Sequence, residues 1–216
     1  MYARYFKRII DFVLSLTALI LLAPVLLILT VVGAIAMGGN PFFTQSRPGK
    51  IDPKTGEEKI FKLVKFRSMN NKKDENGNLL SDDVRLSKYG RILRSTSLDE
   101  LPELLNILKG DMSIVGPRPL AVQYLDYYTV NERRRHSVTP GLTGWAQVNG
   151  RNSLTWEEKF AYDLEYVDNI SLRMDIKVLI KTVQTVFLRK DIGSRGEGGL
   201  MDFDAYRRQK EANNVH

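Results

Sequence analysis

The sequence predicts a mainly α-helical fold with short β elements, an α+β class in which an oily amino-terminal segment joins a hydrophilic body. Three observations carry that prediction. Phe12 to Met37 holds no charged residue, whereas the whole chain has a mean hydropathy of −0.24; without that stretch the remainder averages roughly −0.6 per residue. Apolar residues recur at helical spacing through two long segments of the carboxy-terminal half. One short run, Ile60 to Met69, instead interleaves β-branched and aromatic residues with cations, as a strand does.

The oily segment comes first. As one straight helix it would reach about 39 Å at 1.5 Å per residue, more than the ~30 Å of a bilayer core. Pro24 interrupts it near the middle, and proline removes a helical hydrogen bond and clashes with the preceding turn at a cost of about 3 kcal/mol, so a bend is expected there. Arg4, Lys7 and Arg8 precede the segment and Arg47, Lys50 and Lys54 follow it, so positive charge does not place its ends on opposite sides. Two arrangements satisfy this: a re-entrant helix-break-helix that enters and leaves on one face, and a kinked single-pass anchor. The run is too long for a cleaved signal peptide and lacks a small-residue cleavage site.

The composition changes after Gly38-Gly39-Asn40-Pro41. Residues 1–39 therefore read as the membrane anchor and 40–216 as a separate cytoplasmic-face domain, with the polar stretch 191–216 as a tail that is either mobile or folded over a ligand site. The Ile60 to Met69 strand projects Lys65 and Arg67 to one face. Asn70 to Asp83, with Asn76-Gly77-Asn78, reads as a solvated loop, and Gly116-Pro117-Arg118-Pro119 and Pro140-Gly141-Leu142-Thr143-Gly144 as two further loops able to approach a ligand. Trp156, Phe160, Leu164 and Val167 mark one helix. Leu172 to Lys190 is a second, with Ile176, Leu179, Ile180, Val183, Val186 and Phe187 on its apolar side and Lys177, Lys181, Arg189 and Lys190 among its cations. It fits an amphipathic helix in a membrane interface or a core-facing helix with a solvated basic side; the upstream tether favours the interface.

At 216 residues the chain has room for one ordinary domain with an attached element. It has no cysteine, and its two histidines are His136 and His216, which excludes disulfide scaffolds, thiolate metal sites, cysteine nucleophiles and histidine zinc centres. Any metal must be held by oxygen. The net charge of +7 calls for an anionic partner: nucleic acid, a phosphorylated ligand or an acidic membrane surface. No helix-turn-helix, zinc finger or RNA-binding aromatic motif is present, so nucleic acid is not the expected one. Ser97 with Glu100 three residues on reads as a capping box at a helix start. Asp99 beside Glu100, with Arg91 and Arg94 just upstream, also reads as an acid pair in an anion site, suited to phosphoryl chemistry. Spacing alone leaves both readings open.

Several blocks together resemble one family over nearly the whole chain. They are the proline-broken segment with Lys7-Arg8 and Asp11 ahead of it, Phe42-Phe43-Thr44-Gln45 with Arg47-Pro48-Gly49, Lys65-Phe66-Arg67-Ser68-Met69, Ser97-Leu98-Asp99-Glu100-Leu101-Pro102, Asn106 to Gly110, Val115-Gly116-Pro117-Arg118-Pro119, and Pro140 to Arg151. The chain resembles the small monotopic phosphoglycosyl transferases, a group of bacterial sugar transferases. The resemblance implies transfer of a sugar 1-phosphate from a UDP-sugar to a polyprenyl (undecaprenyl) phosphate. UMP is released, and a surface glycan is begun at the cytoplasmic face of the bacterial inner membrane by a monotopic enzyme among membrane lipids. It implies a re-entrant helix broken at Pro24, although the family often places serine before that proline and this chain has Ala23. It implies that Asp99 is a nucleophile forming an aspartyl phospho-sugar in a ping-pong reaction, that Glu100 is its acidic partner, and that Mg²⁺ is held by both. Arg94, Arg118 and Arg151 match phosphate-binding positions, and Lys65 and Asp163 match supporting ones. A homodimer is compatible with the resemblance. The competing reading is a membrane-tethered anion-binding scaffold without catalysis; a multi-pass transferase is excluded by the single bilayer-length segment. Trp145 and Trp156 are expected as packing or interface residues, and His136, within Arg133-Arg134-Arg135-His136, as part of a basic surface.

Overall fold

The computed structural model describes residues 1–150, 153–187 and 201–214. Helices and two small two-stranded sheets make up the described residues, in agreement with the α+β expectation. The chain divides into a smaller compact unit, Ile10–Gln45 with Lys62–Gly110, and a larger one, Met1–Ile9 with Ser46–Phe61 and Asp111–His216.

The oily segment forms α1 (Phe6–Leu21), whose first four residues are counted with the larger unit, and α2 (Ala23–Met37), bent by 64° at their junction. Among the described residues no single helix is long and apolar enough to cross a membrane; the bent pair passes that test only together. Pro24 sits in the first turn of α2, where its missing N–H leaves nothing unsatisfied, so it begins a helix and the bend falls at Leu22. Gly38, at φ +63°, closes α2: its N–H and that of Gly39 donate to the Ile35 and Ala34 carbonyls at 3.3 and 3.0 Å. Ile20, Leu21, Leu27, Ile28 and Ile35 are exposed, an apolar surface that water does not stabilise. Gly33 packs on Tyr89, whose hydroxyl donates to the Leu29 carbonyl at 2.9 Å, and a Cβ at Gly33 would stand 2.8 Å from that hydroxyl.

β1 (Phe42–Ile51) and β2 (Glu58–Phe66) pair as a hairpin, and the short connection makes the pairing antiparallel. The Phe42 and Phe66 rings stack at 5.3 Å. The polar loop that follows is tied by a bridge between Lys73 and Leu79, with the Asp74 carboxylate accepting from the Asn76 and Asn78 N–H groups at 2.9 and 2.8 Å. Three helices complete the smaller unit, to which the Phe42–Gln45 end of β1 and the Lys62–Phe66 end of β2 belong: α3 (Asp82–Arg85), α4 (Lys88–Thr96) and α5 (Glu103–Lys109). Ser87 caps α4 by accepting from the Gly90 N–H at 2.9 Å. Gly90 lies so near Ser68 that a Cβ would come within 1.9 Å of its carbonyl oxygen, which seats α4 on the chain leaving β2.

The larger unit is built on β3 (Ser113–Val115), α6 (Val130–Arg133), β4 (Gly141–Thr143), α7 (Trp145–Asn149), α8 (Trp156–Asp168), α9 (Leu172–Phe187) and α10 (Phe203–Asn214). The two Gly/Pro loops of the sequence meet here: β3 and β4 pair in parallel, Ser113 opposite Gly141 and Val115 opposite Thr143. Only glycine allows so close an approach, since a Cβ on Gly141 would fall 2.1 Å from the Gly116 nitrogen and one on Gly144 2.3 Å from the Gly116 oxygen. One apolar core gathers Val115, Trp145, Tyr166, Met174 and Val178, and another Tyr124, Trp156, Phe160 and Phe203, so both tryptophans are packing residues. Phe203 is fully buried and Trp156 Nε1 donates to the Met201 carbonyl at 2.9 Å, so α10, part of the stretch read as a tail, is a docked helix.

Two further sequence expectations change. α9 buries Met174 and Val178 yet exposes Leu172, Ile176, Ile180 and Val183, so it has a core face and a second, uncovered apolar stripe. Its Lys177 and Lys181 ammoniums lie over the Trp145 ring, 4.4 and 4.7 Å from the centroid. Lys7, expected as a flanking membrane charge, is buried against Asp175, whose Oδ2 accepts from its ammonium at 2.7 Å and from the Tyr2 hydroxyl at 2.6 Å.

Candidate active site

The smaller unit gathers the acid residues singled out by the sequence. Along β2, Phe61 and Leu63 point to the buried side, and the two-residue period carries Lys65 to that same side. Its ammonium meets Glu100 Oε1 and Glu103 Oε1, each at 2.9 Å. Asn106 locks this arrangement: its side chain accepts from the Val64 N–H at 3.1 Å and donates to the Lys62 carbonyl at 2.8 Å, tying α5 to the backbone on both sides of Leu63. Glu103 was not foreseen, yet its spacing from Glu100 shows it, because residues three apart share a helix face.

Asp99 lies in the single tight turn Leu98–Glu100 between α4 and α5 and is only 4 % exposed. The capping box expected at Ser97 is overturned. Ser97 has φ +57°, the left-handed conformation, and among the described residues it is the one non-glycine with positive φ. An N-cap needs extended backbone; Ser97 instead ends α4, its N–H turned to the Arg94 and Leu93 carbonyls. Pro102 stands at the start of α5, and the Glu100 side chain is turned to Lys65. A left-handed serine costs about 1 kcal/mol, and such strain collects where a side chain must be aimed, here two residues before Asp99. Arg94, in the last turn of α4, donates from Nε to Ser68 Oγ at 2.9 Å, which orients its guanidinium.

The remaining predicted residues belong to the larger unit. Arg118 is half-buried in the loop after β3, and its carbonyl accepts from Arg135 Nη2 at 2.7 Å. Asp163 is buried on α8 as the counterion of that same arginine, which reaches its Oδ2 from Nε at 2.9 Å and from Nη2 at 2.7 Å. Burial pushes the Asp163 carboxyl above its ordinary value, and the Arg135 charge opposes the rise. Arg151 lies outside the described residues.

The basic surface expected around His136 is not one. Arg135 is 2 % exposed and His136 is buried; Arg133 holds Glu58 with two nitrogens at 2.8 and 2.7 Å, and His136 Nδ1 stands 2.9 Å from Glu58 Oε1. Burial and the neighbouring Arg135 charge bring His136 down to about 4, so at neutral pH it is an uncharged ring whose Nδ1–H donates to the carboxylate. Arg133, with His136 assisting, holds Glu58 down at about 2. A run of three arginines and a histidine gave no sequence signal that two of its members are interior.

Chemically, Asp99 and Glu100 are hard oxygen donors consecutive in the chain. That set fits Mg²⁺, which commonly takes one or two carboxylates and completes its octahedron with water and substrate phosphates. Among the described residues no larger cluster of acidic or histidine side chains forms an all-protein metal cage.

Comparison with known proteins gives the family. The profile of the bacterial sugar transferases matches residues 2–189. An uncharacterized sugar transferase, EpsL, of Bacillus subtilis (strain 168) is 47% identical over 186 residues, covering 86% of this chain and 89% of that protein. The UDP-glucose:undecaprenyl-phosphate glucose-1-phosphate transferase of Escherichia coli (strain K12) is 40% identical over 199 residues, 87% of this chain. A UDP-galactose-lipid carrier transferase of Erwinia amylovora is 37% identical over 205 residues, also 87% of this chain. The chain spans 41% of the length of each of these last two relatives. With the family profile spanning most of the chain and relatives this similar, the protein belongs to the bacterial sugar transferase family and is a transferase enzyme.

Proposed function

We propose that this chain transfers a sugar 1-phosphate from a UDP-sugar to a polyprenyl phosphate, undecaprenyl phosphate being the acceptor named for the Escherichia coli relative. The observation that carries the reading is the buried turn in which Asp99 is aimed by a left-handed Ser97 while Lys65 fixes the neighbouring Glu100. A scaffold that only binds anions gains nothing from that arrangement, because buried carboxylates repel its ligand.

The reaction has two halves. An Asp99 carboxylate oxygen attacks the β-phosphorus of the UDP-sugar, the bond from that phosphorus to the bridging oxygen breaks, and UMP leaves with the electron pair. A phosphate oxygen of the polyprenyl phosphate then attacks the same phosphorus, and the Asp99 carboxylate is restored as leaving group. Water is kept from the nucleophile by burial, which also leaves the carboxylate less solvated and more reactive. Asp99 and Glu100 would hold Mg²⁺, which when bound screens the diphosphate charge and stabilises the departing oxygens. Arg94 supplies a guanidinium fork to the phosphate oxygens and Lys65 orients Glu100, while the resemblance gives Arg118 and Arg151 a phosphate-binding role as well.

The site serves a lipid acceptor only at headgroup depth. The bent α1–α2 pair with its exposed apolar residues supports a re-entrant anchor, and the uncovered stripe of α9 supports a helix lying in the interface. In this reading the enzyme is monotopic and works at the cytoplasmic face of the bacterial inner membrane. The tether raises the effective concentration of acceptor. The test is release of UMP from a panel of UDP-sugars, with and without Mg²⁺ and undecaprenyl phosphate. Magnesium-dependent release with one donor preferred is expected; no release from any UDP-sugar would overturn the reading.

A further inference from the structure

The reading of Arg118 as a phosphate ligand leaves open how a loop residue is held still enough to serve. The main chain around it is fixed from two directions. Gly116 N–H donates to the Thr143 carbonyl at 2.9 Å, and Gly141 N–H donates to the Pro117 carbonyl at 3.0 Å, so β4 grips the two residues before Arg118. Pro117 and Pro119 flank it, each with its φ locked by the ring. The next carbonyl along, that of Arg118, accepts from Arg135 Nη2 at 2.7 Å.

Arg135 is equipped to do this and little else. Its Nε and Nη2 share Asp163 Oδ2, its Nη1 stands 3.3 Å from His136 Nε2 and 3.5 Å from the Tyr128 hydroxyl, and its guanidinium carbon lies 5.9 and 5.7 Å from the Tyr128 and Phe160 rings. At 2 % exposure it cannot meet a ligand itself. Burying such a pair is weak as a source of stability, because apolar residues of the same volume often do as well or better. A planar fork anchored by a carboxylate, with one arm on a loop carbonyl, is instead a device for position.

We infer that Arg135, held by Asp163, is a positioning residue that fixes the main chain of Arg118 and so the direction in which its guanidinium meets the donor diphosphate. The inference rests on Arg118 being a phosphate ligand, and it gives Asp163 a role through Arg135 and not through direct contact with substrate.

A double-mutant cycle on the full-length enzyme in lipid nanodiscs tests it, with Arg135→Lys, Arg118→Ala and the pair. Lysine keeps the charge beside Asp163 but cannot span the carboxylate and the carbonyl with one planar fork. The measurement is kcat and KM for UMP release from UDP-glucose or UDP-galactose, whichever is faster, with thermal unfolding in parallel. Arg118→Ala is expected to lower kcat/KM about 100-fold and Arg135→Lys about tenfold, while in the Arg118→Ala background Arg135→Lys costs less than about twofold. An equal factor in both backgrounds means that Arg135 acts through general stability, and the inference falls while the Arg118 reading stands. An Arg118→Ala enzyme of full activity removes the Arg118 reading and the inference with it. If Arg135→Lys does not fold, Asp163→Asn, which keeps an acceptor for Arg135, is taken through the same cycle and judged by the same factors.

Discussion

Two buried ion-pair clusters of this molecule use the same chemistry in opposite ways. In the larger unit, one guanidinium faces one carboxylate oxygen of Asp163 and spends its remaining donors on a carbonyl, a hydroxyl and a ring nitrogen. In the smaller unit, one ammonium is divided between Glu100 and Glu103, beside a buried Asp99. A fork fully engaged on neutral and charged acceptors holds geometry. A single ammonium shared among acids holds charge, and it lets a carboxylate change partners when a phosphate or cation enters. The first cluster is built to stay, and the second is the one the proposed chemistry uses.

The comparison breaks most directly at the acids themselves. Asp99→Asn keeps the size of the side chain and removes the nucleophile, so UMP release should fall about 10³-fold or more with folding intact by circular dichroism; a loss under tenfold would put Asp99 outside the chemistry. Asp163→Ala strips a buried arginine of its counterion and should cost about 3–5 kcal/mol of stability in chemical denaturation. A mutant near wild-type stability would show that Arg135 finds water or another partner. Lys65→Gln should lower turnover by about 10–100-fold while leaving the melting temperature close to wild type, since the effect is on the orientation of Glu100. Equal losses in both would make the smaller cluster structural as well.

Smaller effects sharpen the picture. Ile176→Asp with Ile180→Asp places charge in the exposed stripe of α9 and should shift part of the protein from sedimented vesicles to the supernatant, while unfolding is little changed because both residues are outside the core. Acid stability probes Glu58 and His136. His136 folds with its proton affinity lowered from 6.5 to about 4, and Glu58 from 4.5 to about 2. Both contributions are complete above about pH 6.5. The histidine part is lost as pH falls toward 4, the glutamate part from 4.5 toward 2. His136→Gln should flatten the upper window alone, as read from denaturation midpoints across that range.

How legible this was depends on the residue. Pro24, the oily run and the helical repeats of α8 and α9 were readable because periodicity and composition act locally. Lys65 was readable from strand alternation. Ser97 was misread because the capping-box pattern is a matter of residue types, and the left-handed backbone that defeats it comes from the turn into Asp99. β3 and β4 were hidden because Gly116, just after β3, and Gly141, which opens β4, read as loop, although their absent side chains are what let two backbones approach. β1 carries Pro48 and Gly49, which also argue locally against a strand. Arg135 and His136 were placed outside because three adjacent arginines and a histidine look solvated; only the fold brings Asp163 and Glu58 to them.

The central claim is that Asp99 carries the sugar phosphate between donor and acceptor. Intact-mass spectrometry of the full-length enzyme, incubated with Mg²⁺ and its preferred UDP-sugar but no polyprenyl phosphate, reads this directly. The account predicts one added sugar-phosphate mass, located to Asp99 by peptide mapping, absent in Asp99→Asn and discharged when undecaprenyl phosphate is added. An unmodified mass from an enzyme that turns over normally once acceptor is supplied would contradict it and leave direct transfer between the two substrates.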